Sequence, residues 1–224
     1  MISYVSDINI HNKVKYIFFD KSYEGEDNKI SELLVKTTMG ADALVTAKQV
    51  HGPDVAIVNS ASHPTADAII TTKKNLAVAV KVADCVPVVL TNKTGSIVGA
   101  MHCGWKSVVS GVILNCVDAM GQDLYAAIGP SIQQYSYEVQ TDMMQRFADF
   151  DRKYSNFIAE HKGKFFFDLS GYVSFFLEKL GVTIVNHSKE DTYKNPDLYY
   201  SHRRAVYNGK KERGRMFFAI MRTG

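Results

Sequence analysis

The chain is 224 residues long, with 46% apolar and 22% charged residues and a formal net charge of +3, which excludes a disordered or low-complexity chain and makes no electrostatic case for nucleic-acid binding. No stretch reaches the ~18 consecutive apolar residues of a membrane span, and Asp7, Asn9, His11 and Asn12 interrupt the apolar start, so neither a membrane helix nor a secretory leader is read and the expected location is cytoplasmic. Three cysteines, Cys85, Cys103 and Cys116, cannot all pair and are expected as reduced thiols.

Residues 14–19 read as a strand. Ser31 is placed to cap a short helix over 32–38 that stops at Gly40. The apolar run 41–50 delivers Gln49-Val50-His51-Gly52, and Gly52 with Pro53 closes it, which predicts His51 at a strand terminus. Residues 66–71, Ala-Asp-Ala-Ile-Ile-Thr, echo 41–46 too briefly to count as a repeat. Residues 76–90 and 96–102 read as two apolar strands around the polar, Gly-containing 91–95, a hairpin. A turn centred between Lys93 and Thr94 sets Cys85 opposite His102, and Pro87, unable to donate to a central ladder, predicts an edge or bulge beside it. Beyond Cys103-Gly104-Trp105-Lys106-Ser107, the positions Val108, Val109, Val112, Ile113, Cys116 and Met120 keep the spacing of one buried helical stripe, stopped by Gly121. A strand over 124–128 follows. Thr141 is placed to cap a helix bearing Met144, Phe147 and Phe150, and 165–167 is a short strand. Asp168 or Ser170 opens a helix with Leu169, Val173, Phe176, Leu177 and Leu180 inward. A strand over 182–186, a polar, tyrosine-rich loop over 191–208 and a terminal strand over 215–221 complete a mixed α/β (α+β) reading. No Gly/Ser/Pro linker divides the chain, so 1–224 reads as a single domain.

His51, Cys85 and His102 each end or interrupt an apolar strand, and three N and S donors with an open fourth position suit catalytic zinc better than magnesium or calcium. The intervals of 34 and 17 residues match no compact ligand motif. From spacing alone two other readings therefore stand beside the metal: Cys85 as a small buried hydrophobe, and Cys85 with His102 as a metal-free nucleophile pair. The seven histidines include no His-x-His pair, which disfavours a multicopper cluster. The turn carrying Trp105 and Lys106 reads either as an anion-binding turn or as a tight turn that packs Trp105 in the core, and Trp105 can also stack on a base. The basic cluster His202-Arg203-Arg204 and the pair Arg213 and Arg215 read either as phosphate-binding positions or as solvated surface. Asp67 and Asp84 lie beside apolar strand residues, where a carboxylate needs a partner. Backbone donors satisfy that need, and so does a metal-bound histidine that the carboxylate orients.

In order along the chain come Lys-Gln-Val-His-Gly (48–52), Ala-Asp-Ala-Ile-Ile-Thr (66–71), Ala-Asp-Cys-Val-Pro (83–87), His-Cys-Gly-Trp-Lys (102–106), Ile-Gly-Pro-Ser-Ile (128–132), Tyr-Glu-Val (137–139), Ser-His-Arg-Arg (201–204) and Gly-Arg (214–215). This series resembles the laccase-domain family, also described as the purine nucleoside phosphorylase or polyphenol oxidase YfiH family. The resemblance implies a four-layer α/β/β/α sandwich with mixed sheets and a Zn2+ on His51, Cys85 and His102, with copper disfavoured. It implies phosphorolysis of adenosine, inosine and methylthioadenosine, accompanied by adenosine deamination. With it, Cys85, His102, Lys48 and Asp84 are assigned to catalysis, and Trp105, Lys106 and Arg203 to contacts with substrate and phosphate. The partners implied are a purine nucleoside and phosphate, with no nucleic acid and no membrane, on a monomer or homodimer. The alternatives are a metal-free cysteine hydrolase using Cys85 and His102, polyphenol oxidation as in the older laccase label, and a non-enzymatic purine-binding protein. The sequence departs from the family pattern in a shortened segment at 20–28, in Gly-Trp-Lys-Ser where Gly-Trp-Arg-Gly is usual, and in Ser136 where a cysteine is common.

Overall fold

The computed structural model describes residues 5–6, 13–25, 30–211 and 214–223. The residues that break the apolar start, the 26–28 end of the shortened segment, and Arg213 lie outside the described residues.

Strand β1 (Val5–Ser6) pairs with β2 (Val14–Phe19). Helix α1 (Glu32–Met39) starts as its sequence predicts, with the Ser31 hydroxyl accepting the Leu34 N–H, and ends at Gly40 with φ 68. Then come β3 (Ala43–Thr46), β4 (Val55–Ile57), β5 (Ala68–Thr71), β6 (Leu76–Val82), β7 (Val86–Asn92) and β8 (Val98–Cys103). Helices α2 (Trp105–Val109) and α3 (Val112–Met120) lead to β9 (Leu124–Ile128). The last third contains β10 (Glu138–Val139), α4 (Thr141–Phe150), β11 (Ile158–His161), β12 (Lys164–Phe167), α5 (Leu169–Lys179), β13 (Thr183–His187), α6 (His202–Tyr207) and β14 (Met216–Arg222).

One sheet runs β1-β2-β14-β6-β3 and a second runs β13-β9-β7-β8-β5-β4, with a small third sheet of β10-β12-β11. The two large sheets are mixed: β3/β6, β4/β5 and β13/β9 pair in parallel, the remaining ladders antiparallel. They pack face to face. Val35 and Met39 of α1 join the core that includes Val78, Val80, Phe218 and Ile220 of the first sheet and Val89, Val98 and Ala100 of the second. The opposite face of the second sheet, with Val88, Leu90, Met101 and Ala126, packs on Ile113 and Cys116 of α3 and Val173 and Leu177 of α5. The result is the helix, sheet, sheet, helix layering expected for this chain.

Strand periodicity explains where chemistry can sit. In β8, Val98 and Ala100 point between the sheets while Met101 and Cys103 point toward the helices. Two-residue alternation therefore carries His102 to the inter-sheet side and buries Cys103 with Cys116 on the other. Cys103 and Cys116 are thus core residues.

Five readings need correction. Residues 76–90 are two strands in different sheets: the chain leaves the first sheet after Val82 and enters the second at Val86. Between them Asp84 adopts φ 88, a left-handed conformation that ends extended structure. Accordingly the hairpin register pairs Pro87, and not Cys85, with His102. Pro87 lies in a central strand, near its start, and its carbonyl accepts the Gly129 N–H. The single helix after Ser107 is broken at Gly111, φ 99, into α2 and α3. The loop over 191–208 contains α6, capped by Ser201. Smaller differences are that Thr141 is the first residue of α4 and the cap position is Gln140, and that Met143, not Met144, is the buried methionine.

Candidate metal centre and its cleft

His102 sits in β8, Cys85 on the crossover between the sheets, and His51 on the turn that follows β3. His51 is therefore not at a strand terminus: four residues separate it from Thr46, and it takes φ 61, a conformation uncommon for a residue with a side chain. The donor atoms of His51, Cys85 and His102 lie within 4.8 Å of one another. The two imidazoles meet edge to face at 4.8 Å between centres. Gly104 forms the floor: a Cβ there would lie 2.8 Å from His51 Cδ2, 3.2 Å from Cys85 Sγ and 3.4 Å from His102 Cε1.

The hydrogen bonds around the three donors are specific. Asp67, fully buried, accepts from His102 Nδ1 at 2.7 Å, from the Ser107 hydroxyl at 3.2 Å and from the backbone N–H groups of Val50, His51 and Gly52 at 3.0, 3.1 and 2.9 Å. Burial pulls its carboxyl upward, but the His102 hydrogen bond and the Gly52 and Val50 amides outweigh burial and hold it at about 2. A carboxylate can only accept, so His102 Nδ1 carries its proton and Nε2 is left to face the other donors. Burial opposes ionisation of Cys85 and of His102, yet each favours the charged form of the other. The thiol is drawn down to about 6 by His102 and then His51, and the His102 imidazole is drawn up to about 9 by Cys85 and then Asp67.

These donors open on a cleft of about 750 Å3 lined also by Lys48, Lys81, Trp105, Lys106, Arg203 and Arg215. Lys81 is paired with Glu32 at 3.3 Å, whereas Lys48 and Lys106 have exposed side chains with no carboxylate partner among the described residues. Arg203 is fixed: Nη1 donates to the Glu138 carbonyl at 2.8 Å and the guanidinium lies 5.2 Å from the centre of the Tyr137 ring. Trp105 is half-buried at the cleft wall, with Lys106 Nζ and the Arg146 guanidinium 5.6 and 5.9 Å from its ring centre. Arg204 turns away and holds the carbonyls of Thr192, Tyr193 and Tyr199.

Asp84 does not present a free carboxylate to the cleft. It accepts from the Thr192 hydroxyl at 2.7 Å, the Ser201 hydroxyl at 3.0 Å and the Arg203 N–H at 2.7 Å, and burial raises its carboxyl despite these donors. It ties the crossover that carries Cys85 to α6. Gln49 escapes notice in the sequence: its side-chain amide exchanges two 2.8 Å hydrogen bonds with the backbone of Lys81, fastening the turn before His51 to β6. The sequence signal is its place beside His51 in the same tetrapeptide. Ser136 donates to Asp191 at 2.6 Å, outside the cleft lining.

A family model described as multi-copper polyphenol oxidoreductase laccase matches residues 19–223. The chain is 34% identical over 220 residues to a purine nucleoside phosphorylase of Rickettsia conorii, covering 88% of this chain and 92% of the relative. It is 29% identical over 171 residues to the purine nucleoside phosphorylase YfiH of Escherichia coli, covering 74% of this chain and 70% of the relative. Among solved structures, a Neisseria meningitidis protein superimposes with a TM-score of 0.86 at 25% identity, over 100% of both chains. A Bacillus licheniformis YfiH protein superimposes with a TM-score of 0.78 at 24% identity, over 93% of this chain and 92% of that one.

Proposed function

Because the chain belongs to the family described as multi-copper polyphenol oxidoreductase laccase, and relatives within its reach are named purine nucleoside phosphorylases, we propose that it is a zinc-dependent purine nucleoside phosphorylase acting on adenosine, inosine and methylthioadenosine, with accompanying adenosine deaminase activity. The observation that carries the proposal is the meeting of His51, Cys85 and His102 within 4.8 Å at the wall of a lysine- and arginine-lined cleft.

The donor set fits the metal. Two imidazole nitrogens and a thiolate are zinc ligands, and the side of the trio that faces the cleft leaves a position for substrate. Gly104 contributes only a hydrogen where a Cβ would crowd all three donors. A His2Cys set also serves copper when a weak axial methionine or glutamine completes it, but no methionine lines this cleft, and the Gln49 amide is engaged with the Lys81 backbone. Of the other histidines, His187 is engaged with Ser170 at 2.7 Å, and among the described residues no second group of three His, Cys, Asp or Glu ligands gathers. Polyphenol oxidation by several coppers is therefore the weaker reading.

When bound, zinc supplies a Lewis acid at the open position. The protein's own groups do the rest. Arg203, immobilised through one nitrogen and the Tyr137 ring, keeps its other N–H groups for a phosphate oxygen, and Lys48 and Lys106 add mobile positive charge. In phosphorolysis a phosphate oxygen bonds to C1′ of the ribose, the bond from C1′ to the purine breaks with its electron pair going to the base, and the base takes up a proton. Cations on the phosphate hold the nucleophile in place against C1′. Asp84 acts through position, not proton transfer. The test is metal analysis joined to base release from the three nucleosides with and without phosphate, and ammonia release from adenosine. About one zinc per chain and loss of metal and turnover in Cys85→Ala are expected. Full phosphate-dependent turnover in a zinc-free preparation overturns the proposal.

The thiolate-imidazolium pair favours one second reading, a metal-free cysteine hydrolase in which Cys85 is the nucleophile and His102 the proton carrier. Alkylation of Cys85 that is rapid in chelator and blocked by added zinc supports the metal enzyme. Alkylation and inactivation indifferent to zinc support the hydrolase.

A further inference from the structure

We infer that Asp67 is the positioning residue of this site, setting through one carboxylate both the tautomer of His102 and the backbone of the turn that presents His51. The inference rests on the zinc reading for its consequence but not for its geometry. His102 and His51 lie in separate elements, and among the described residues no hydrogen bond joins β8 directly to the turn over 50–52, although the two rings touch. Asp67 touches both. Its Oδ1 accepts from His102 Nδ1 and the His51 N–H, and its Oδ2 accepts from the N–H groups of Val50 and Gly52.

Three consecutive amides directed at one carboxylate form an anion nest, here filled by the protein's own side chain. The nest stabilises the left-handed φ of His51, which carries a steric cost for a residue with a Cβ. The same carboxylate is acceptor-only, so it fixes the proton on Nδ1 and leaves the Nε2 lone pair for a metal. The backbone reinforces the link, since the Asp67 carbonyl accepts the His102 N–H at 2.8 Å. Asp67 is fully buried just before β5 and does not line the cleft into which the three donors open, so it acts behind the site. Its role is therefore to act through the two histidines.

Asp67→Asn is nearly isosteric but replaces one acceptor by an NH2 donor. That donor must face either His102 Nδ1, driving the proton to Nε2 and capping the metal-facing lone pair, or the amides of the nest. The expected result is a 10–100-fold loss of zinc affinity, measured by competition with a chelating indicator, and faster hydrogen exchange at the Val50, His51 and Gly52 amides of the metal-free variant. In the wild-type protein, long-range proton–nitrogen spectra are expected to show His102 with a hydrogen-bonded Nδ1–H, and with zinc on Nε2 once the metal is added. Those spectra decide the matter even when the variant does not fold. A bare Nδ1 in the wild type, or a folded variant with unchanged zinc affinity or unchanged amide exchange, overturns the inference. If the wild type takes up no zinc, the proposed function fails instead, and the hydrogen-bonded Nδ1–H of His102 and the amide exchange of the metal-free protein still decide the role of Asp67.

Discussion

Gly104 has φ −72 and ψ 155, a backbone open to any residue, yet an added Cβ would press on His51, Cys85 and His102 together. Gly104→Ala is thus expected to keep its fold, read by circular dichroism, and to lose at least tenfold in zinc affinity, read by calorimetry. The Cys85/His102 pair makes a prediction in pH. The thiol is depressed from 9.0 to about 6, so its contribution to stability is fully present above pH 9 and lost as pH falls through about 6. His102 is raised from 6.5 to about 9, so its contribution is fully present below pH 6.5 and lost as pH rises through about 9. Between pH 6.5 and 9 folded and unfolded pairs each hold one proton, on the imidazole and on the thiol respectively. The slopes cancel, so thermal midpoints of metal-free protein should owe no pH trend to this pair there. Alkylation of Cys85 in that protein should instead rise with a midpoint near pH 6, and a midpoint near the ordinary thiol value contradicts the pairing. His51, Cys85 and His102 are readable in the sequence as polar interruptions of apolar runs. The kinds of partner Asp67 takes, backbone donors and a histidine, are readable too, but which residues supply them, and the partner of Gln49, are not, because a side chain's hydrogen bonds depend on elements that no spacing rule brings together.

Among the elements, the crossover over 83–85 and helix α6 form one unit. Asp84 satisfies two hydroxyls and one amide on the α6 side. Asp84→Ala removes this shared acceptor from all three donors, at a cost of about 3 kcal/mol, or a fall of about 10 °C in thermal midpoint for a chain of this size. Hydrogen exchange should quicken in α6 before the two large sheets, because Ser201, which caps α6 through the Arg204 N–H, loses its bond to Asp84. An α6 as protected as in the wild type argues against the coupling. The helix escapes the sequence reading for a physical reason. It is six residues long, and its apolar Val206 is 58% exposed, so no buried stripe marks it. Helix α5 and strand β14 are readable because each buries a full apolar face. The break at Gly111 is hidden for the opposite reason, since the apolar stripe continues through it into α3.

For the molecule as a whole, two separate cores hold the sandwich without help from the site: one between the sheets and under α1, one beneath α3 and α5. Chelation is therefore expected to abolish turnover while leaving the far-ultraviolet spectrum intact. Added zinc should raise the thermal midpoint with concentration, by about 4 kcal/mol of stability at a thousandfold excess over Kd. Unfolding on chelation alone contradicts this and marks the metal as structural. From residue order alone, the apolar periods and helix caps determine most strands and helices, and the series of short motifs determines the family and singles out His51, Cys85 and His102 as residues to bring together. Those signals are local, and local hydrogen bonding and side-chain alternation write them into neighbouring residues. Only the tertiary structure decides that the chain changes sheets at Asp84, that Pro87 and not Cys85 faces His102, and that Asp67 binds both histidine-bearing segments. Asp84 bonds Thr192 and Ser201 across 108 and 117 residues, and energies that arise between such distant segments exist only once both sheets have closed on each other.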